Sequence, residues 1–248
     1  MKISVITVAY NAAKTIRATM ESVAAQRGVE VEHLVIDGGS TDGTMAIVRG
    51  FPCRALSERD QGMYDALNKG IALATGEVIG ILNADDVFDG EDALKAVAAA
   101  FAEGGAELEA VYADVRFARE GRTTRYYSAR AWKPWMARWG FMMPHPGVYI
   151  RRGVFTRLGG YRLGYRISAD FELMTRYFVK GGVRAAYLPR SLVRMLPGGM
   201  STSGLKAMVI LNRENVRALR ENGIYSNFLM MLPKYFYKVL GLFARWAP

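Results

Sequence analysis

The chain has 248 residues, 51% of them apolar and 23% charged, with a formal net charge of +10. That composition is globular rather than disordered, and the length suffices for one large domain or two small ones. The charge is divided, with residues 1–115 at −9 and residues 116–166 at +11, so the acidic half would repel a polyanion and no nucleic-acid partner is expected.

Ile3–Val8 is a continuous β-rich apolar run, the pattern of a parallel strand covered on both faces. It reads as a strand and not as a signal peptide, because the apolar stretch is short and no cleavage site follows. Asn11 stands as a cap before a helix reaching about Gln26, with Ile16, Met20, Val23 and Ala24 at helical spacing. His33–Ile36 is a second strand ending at Asp37. Gly38–Gly43 is a tight loop, and a short helix runs to about Arg49. Arg54–Ser57 is a third strand, Gly62–Ala74 a helix, and Val78–Leu82 a fourth strand ending at Asn83-Ala84-Asp85-Asp86. An Ala-rich helix covers about Glu91–Phe101. The alternation βαβαβαβ predicts an α/β fold, an open and mostly parallel sheet with helices on both faces.

After Ala110 the pattern changes. Two strands, Ala110–Ala118 and Thr123–Ser128, read as an antiparallel pair joined by Arg119-Glu120-Gly121-Arg122. A basic aromatic stretch follows from Trp132 to Phe141. Ser201–Asn222 reads as a helix with Leu205, Met208, Val209 and Asn212 on one side. Phe228–Leu240 is apolar and aromatic, with lysines and later Arg245, and it is too interrupted to span a bilayer. It suits a segment lying on an anionic membrane surface, or else a helix packed on the rest of the chain or on a partner. The single cysteine, Cys53, excludes an intrachain disulfide and suits a reducing cytoplasm.

In open α/β sheets ligands bind beyond the carboxyl ends of the strands. Asp37, Asp60 and Asp85/Asp86 stand at three such ends. An anionic crevice of this kind suits a divalent cation, a sugar hydroxyl or a base N–H. Neither a dinucleotide fingerprint nor a P-loop is present. Each acid alone could be a turn or a helix cap; their recurrence at successive strand ends favours a site.

The sequence resembles the family 2 glycosyltransferases, with their GT-A (Rossmann-like) fold, over residues 1–200. The matching pieces are Ser4–Asn11, Val35–Thr44, Arg59–Gly70 and Leu82–Asp86, then Pro144-His145-Pro146, Leu158-Gly159-Gly160-Tyr161 and Ala169–Leu173. The nearest flavour is the branch that builds bacterial cell-surface polysaccharide. The resemblance implies that Asp37 binds the nucleobase in a pocket lined by Thr7, Ala9 and Tyr10. It places Asp60 and the Asn68-Lys69-Gly70 turn near the diphosphate. Asn83-Ala84-Asp85 would hold the D-x-D position, with Asp85 as the ligand of Mg²⁺ or Mn²⁺ and Asn83 departing from the usual first Asp. His145, Trp132 and Asp86 fall on the acceptor side, where Trp132, Trp135 and Trp139 stack a sugar or simply pack.

The same resemblance makes Asp170 the general base. Leu173, Met174, Tyr177 and Phe178 follow it at helical spacing, which sets Asp170 at the start of a helix, on its buried side, with Ser168 as a cap and the helix start favouring the ionised form. The implied function is an inverting, metal-dependent transfer of a sugar from a nucleotide-diphosphate donor, UDP-linked, to a saccharide or lipid-linked oligosaccharide acceptor. Residues 1–200 would form the catalytic domain, with 1–115 the donor half and 116–200 the acceptor half, and 201–248 a helical extension. The implied place is the cytoplasm, on the inner face of the cell membrane. The alternatives are an inactive nucleotide-binding scaffold, suggested by Asn83, and a sugar nucleotidyltransferase. The second would need a basic Gly-rich loop where Ala9-Tyr10-Asn11-Ala12 stands.

Overall fold

The computed structural model describes residues 1–119, 122–196 and 204–235. Its centre is a parallel block of four strands: β1 (Lys2–Ala9), β2 (Glu30–Asp37), β3 (Arg54–Ser57) and β4 (Val78–Ile81), in the spatial order β3-β2-β1-β4. The register levels their carboxyl ends, with Ala9 beside Asp37 and Asp37 beside Ser57. Alternation along the strands sends side chains to opposite faces. Ile6, Leu34 and Ile36 meet Leu67 of α3 (Met63–Leu73) on one face. Ala9 and Val35 meet Ile16 and Met20 of α1 (Ile16–Ala24) and Val48 of α2 (Thr44–Val48) on the other. Gly70 lets α3 lie this close, since a Cβ there would stand 2.5 Å from the Ile6 side chain.

The sheet continues from β4 through β8 (Val148–Arg151), β6 (Ala110–Arg119) and β9 (Ala185–Met195) to β5 (Val87–Phe88), and β7 (Arg122–Tyr127) forms a hairpin with β6. Beyond β4 the pairing is mixed: β8 is antiparallel to both β4 and β6, while β9 runs parallel to β6. The helix α4 (Ala93–Gly104) covers one face through Leu94, Val97 and Phe101. After β8 come α5 (Arg152–Leu158) and α6 (Ala169–Met174), which passes into a π-helical turn at Thr175–Lys180. Last is α7 (Gly204–Glu221), whose Ala218 and Leu219 join the same apolar cluster as Ile6 and Leu67.

The alternating elements of residues 1–101 and the β6–β7 pair stand where the sequence puts them. Three readings change. Asn11 is not a helix cap: α1 starts at Ile16, and Asn11 takes a left-handed φ of 50° in the preceding turn. Ser168 makes no side-chain cap; its hydroxyl donates to Leu211 O instead, at 3.4 Å. On α7 the buried positions are Ala207, Asn212, Asn215, Ala218 and Leu219, and Val209 faces out. Strands β5, β8 and β9 carry no clear signal in the sequence. Glu120, Gly121, the start of the helix expected from Ser201, and Phe236–Leu240 with Arg245 lie outside the described residues.

Candidate active site

The sheet order lines up a row of loops at one edge: the ends of β3, β2, β1 and β4, then the start of β8. Main-chain bonds sew the first three together, from Gly38 N–H to Ala9 O at 2.9 Å and from Glu58 N–H to Asp37 O at 3.0 Å. The Asp37 carboxylate finishes the seam. It is fully buried and accepts from Ser40 N–H (3.0 Å), from the Ser40 hydroxyl and from the Ser57 hydroxyl (2.6 Å). A carboxylate offers about four acceptor positions, so a nucleobase N–H reaches Asp37 only through the one left over or by displacing a serine. Asn11 joins the same seam, donating its N–H to Ser40 Oγ at 2.7 Å and accepting from Thr41 N–H at 3.0 Å. Asp42 then accepts from Thr44 N–H (2.9 Å) and Ala13 N–H (3.1 Å), tying α2 to the turn before α1.

Asp60 lies directly against Gly38, where a Cβ would meet its Oδ2 at 2.6 Å, and its Oδ1 accepts Gly62 N–H at 2.8 Å. Asp37 and Asp60 therefore flank one glycine at the carboxyl ends of β2 and β3. Tyr10 is 68% exposed at the end of β1, free to lie along a planar base, and Ala9 is buried beneath it. Thr7 does not reach the crevice. It is fully buried and its hydroxyl pairs with His33 Nε2 at 3.0 Å, inside the sheet. Nor is Lys69 open to a diphosphate: its Nζ contacts Glu58 Oε1 at 2.8 Å and Asp65 Oδ2 at 3.4 Å, and donates to Arg59 O at 3.2 Å. It braces the loop that carries Asp60.

At the end of β4 the turn Asn83–Asp86 closes through Asp86 N–H to Asn83 O at 3.0 Å. Asp85 is exposed and Asp86 is buried. The Asn83 amide donates to Asp86 Oδ2 at 2.9 Å, so the residue that departs from D-x-D holds the turn from within. Burial, reinforced by the neighbouring Asp85 charge, pushes the Asp86 carboxyl up to about 7. Asp86 thus belongs beneath the turn rather than on an acceptor face. Ala84 packs on α1 and α2. Trp132 is a core residue. It sits edge-on to Tyr112 and Phe178, with its indole N–H on Phe141 O at 3.3 Å, while Trp135 is the exposed tryptophan of that stretch.

Next along the edge is the turn before β8, with His145. His145 Nε2 pairs with the Tyr161 hydroxyl at 2.6 Å, and the two rings meet edge to face. Tyr161 stacks on Tyr64, whose hydroxyl donates to Ile167 O at 2.5 Å. The charge of Asp170 raises both tyrosines further above their ordinary range, burial being the larger cause. Asp170, Tyr64, Tyr161 and His145 thus form one cluster, and a small closed space between β4, β8 and α6 is lined by Ile79, Ile81, His145, Tyr161 and Leu173. Burial moves Asp170 up to about 6, opposed by the N–H of Phe171 at 2.8 Å. The expected helix-start effect is therefore outweighed. Burial also lowers His145 to about 4, which leaves it neutral at physiological pH.

Tyr161 and Tyr64 lie inside the motifs quoted above, yet their spacing alone assigns them no task. The loop that presents Tyr161 is held from two sides. Asn68 on α3 donates to Tyr161 O and accepts Tyr161 N–H, both at 2.8 Å. Arg176 donates to the carbonyls of Leu158, Gly159 (3.1 Å) and Gly160 (2.7 Å), while its guanidinium also pairs with the buried Glu172. Among the described residues no group of three His, Cys, Asp or Glu side chains could hold a metal by itself.

Comparison with known proteins agrees with this architecture. The model of "Glycosyl transferase family 2" matches residues 4–169. A PGL/p-HBAD biosynthesis glycosyltransferase of Mycobacterium tuberculosis is 32% identical over 236 residues, covering 85% of this chain and 89% of that protein. Among solved structures, residues 1–349 of S. aureus TarS superpose with a TM-score of 0.67 at 17% identity, over 100% of this chain and 76% of that one. The mannosyltransferase PcManGT from Pyrobaculum calidifontis, solved with GDP-Man and Mn²⁺, gives 0.62 at 18% identity, over 99% and 76%. The shared fold is GT-A.

Proposed function

Because the chain belongs to the family 2 glycosyltransferases, we propose that it moves a sugar from a nucleotide-diphosphate donor to a saccharide hydroxyl, with inversion, and that Asp170 is its base. The observation that carries this is the Asp170 cluster: one carboxylate set to about 6, beside the aromatic wall of Tyr64 and Tyr161. A single displacement needs one base and no protein nucleophile. The acceptor O–H gives its proton to Asp170 and its oxygen bonds to the anomeric carbon. The bond from that carbon to the diphosphate oxygen breaks, and its electron pair leaves with the nucleoside diphosphate. Neutral His145 holds the Tyr161 hydroxyl, and so orients the wall against which the acceptor sugar lies.

On the donor side, Tyr10 and the Asp37–Gly38 turn take the nucleobase, here uracil, and Asp60 stands by the ribose and diphosphate. Asp37 acts chiefly through the loop it holds. The exposed Asp85, without a cage of other protein ligands, fits Mg²⁺ or Mn²⁺ as such ions bind nucleotides, through one or two carboxylates and substrate phosphates. When bound, the ion offsets charge on the leaving diphosphate. The TarS complex with UDP-GlcNAc and the PcManGT complex with GDP-Man support a nucleotide-sugar donor. Residues 1–200 serve as the catalytic unit.

The acceptor side faces an anionic membrane on the inner side of the cell envelope, the acceptor being lipid-linked. Trp135, Tyr225, Phe228, Leu229 and Leu232 are all exposed, and the turns Pro134–Trp139 and Leu229–Met231 pack together. No helix among the described residues is long and apolar enough to cross a bilayer, so the association would be interfacial.

The test is release of nucleoside diphosphate from a panel of UDP- and GDP-sugars with Mn²⁺. Release from at least one donor, abolished by chelation and restored by Mn²⁺, is the expected result. A folded protein that binds donors and releases nothing across the panel, with or without saccharide acceptors, would establish the scaffold reading instead.

A further inference from the structure

The helix α7 lies beyond the stretch matched by the family model. One of its side chains nonetheless reaches the segment that leads into Asp170. Glu214 Oε1 accepts the N–H of Arg166 at 2.7 Å, and its Oε2 accepts those of Ile167 and Ser168, both at 2.9 Å. Three successive amides converging on one carboxylate form an anion-binding nest, here filled from within the chain. Carboxylate oxygens only accept, so all three donors are met at once. The Ser168 hydroxyl adds a bond to Leu211 O on the same helix. Asp170 begins two residues after the last of these amides.

We propose that Glu214 is a positioning residue for the reaction: its carboxylate fixes the backbone at 166–168 and thereby where the Asp170 carboxylate stands. This rests on the reading of Asp170 as the base. Glu214 also acts on Asp170 through space. Burial is the main reason the Asp170 carboxyl is raised, its own backbone hydrogen bonds oppose it, and the negative charge of Glu214 adds to the rise. The titratable groups around Asp170 are Tyr64 from α3, Tyr161 from the loop after α5 with His145 of the turn before β8 bonded to it, and Glu214 from α7. Glu214 is the carboxylate among them, and its removal is what moves the acid limb of the rate profile.

The experiment compares Glu214→Gln, Glu214→Asp and the exposed control Arg213→Ala on the full chain. Two readouts are followed: amide hydrogen exchange of a peptide spanning 166–171, and the pH dependence of nucleoside-diphosphate release from the donor panel with Mn²⁺, with and without saccharide acceptors. A glutamine keeps the shape but offers one acceptor oxygen and turns an NH₂ toward a donor. Glu214→Gln is therefore expected to speed exchange at 166–168 by about tenfold. It should lower kcat by about tenfold with KM for the donor unchanged, and shift the acid limb to lower pH. Glu214→Asp, which keeps the charge, should restore the position of the limb, and Arg213→Ala should leave exchange at 166–168 as in the wild type. Unchanged exchange in Glu214→Gln, or faster exchange with kcat and the acid limb as in the wild type, would overturn the proposal. If the wild type releases no nucleoside diphosphate from any donor, with or without saccharide acceptors, the assignment of Asp170 falls, and the positioning role falls with it; the exchange data then show only whether Glu214 holds the loop.

Discussion

At the scale of single residues, two carboxylates are displaced in opposite directions, for opposite reasons. Asp170 is pushed up to about 6, mainly by burial. A base must be ionised, so turnover at saturating donor is expected to fall as the pH drops through about 6, and a profile flat from about pH 5 to about pH 8 would contradict the assignment. The same shift weakens the fold. The folded chain holds this proton more tightly than the unfolded chain, so the stabilising contribution is present below the ordinary 3.8 and is lost as the pH rises through about 6. Glu32 runs the other way. Burial opposes its ionisation, but bonds from the Ser4 hydroxyl, at 2.5 Å, and from Thr75, together with the Lys2 charge, bring it from 4.5 to about 2. Its contribution is present above 4.5 and lost as the pH falls toward 2. Glu32→Gln should cost about 1–3 kcal/mol at neutral pH and flatten the acid end of the stability curve, as read by urea denaturation. The strand-end acids are plain in the sequence. What each one touches is not: Asp37 faces Ser57, twenty residues away, and Asn83 turns inward to Asp86.

At the scale of elements, β1, β2 and β4 are legible because each holds a short apolar run and Asn or Asp marks its end, while β3 (Arg54–Ser57) is legible chiefly from its place in the alternation. Strand β9 is not, since Pro189, Arg190 and Arg194 interrupt it. Helix α7 misleads for a related reason. Its buried side carries Asn215 beside the expected Asn212, while Val209 turns outward; hydrophobic periodicity counts an amide such as Asn215 as solvent-facing. The joint between α3 and the loop at Leu158–Tyr161 is also hidden in the sequence, because Asn68 and Tyr161 are 93 residues apart. Asn68→Ala leaves the Tyr161 N–H and C=O unpaired at a half-buried place. It should destabilise the fold by about 2 kcal/mol and raise the acceptor KM more than the donor KM. Gly160→Ala should behave similarly, because its Cβ would stand 2.3 Å from Asn68 Oδ1. Equal effects on both substrates would show that the loop does not serve the acceptor.

At the scale of the whole molecule, the division of charge becomes a division of labour. The acidic half holds the strand ends proposed to meet the donor, and the +11 stretch from 116 to 166 holds the His145 turn, the Tyr161 loop and the exposed Trp135. If that side meets an anionic surface, binding to vesicles of anionic lipid should weaken with salt. It should also fall when Trp135 and Leu229, 63% and 74% exposed, are both changed to Ser. Equal binding by the double variant would remove the membrane from the account. The protein as a whole is read as a nucleotide-sugar transferase driven by one half-buried carboxylate, and Asp170→Asn tests that reading most directly. With a donor that the wild type turns over, and with nucleotide affinity measured by calorimetry on the same samples, turnover should fall by about 10²–10⁴-fold while the Kd for the nucleotide stays unchanged. Turnover equal to that of the wild type would contradict it.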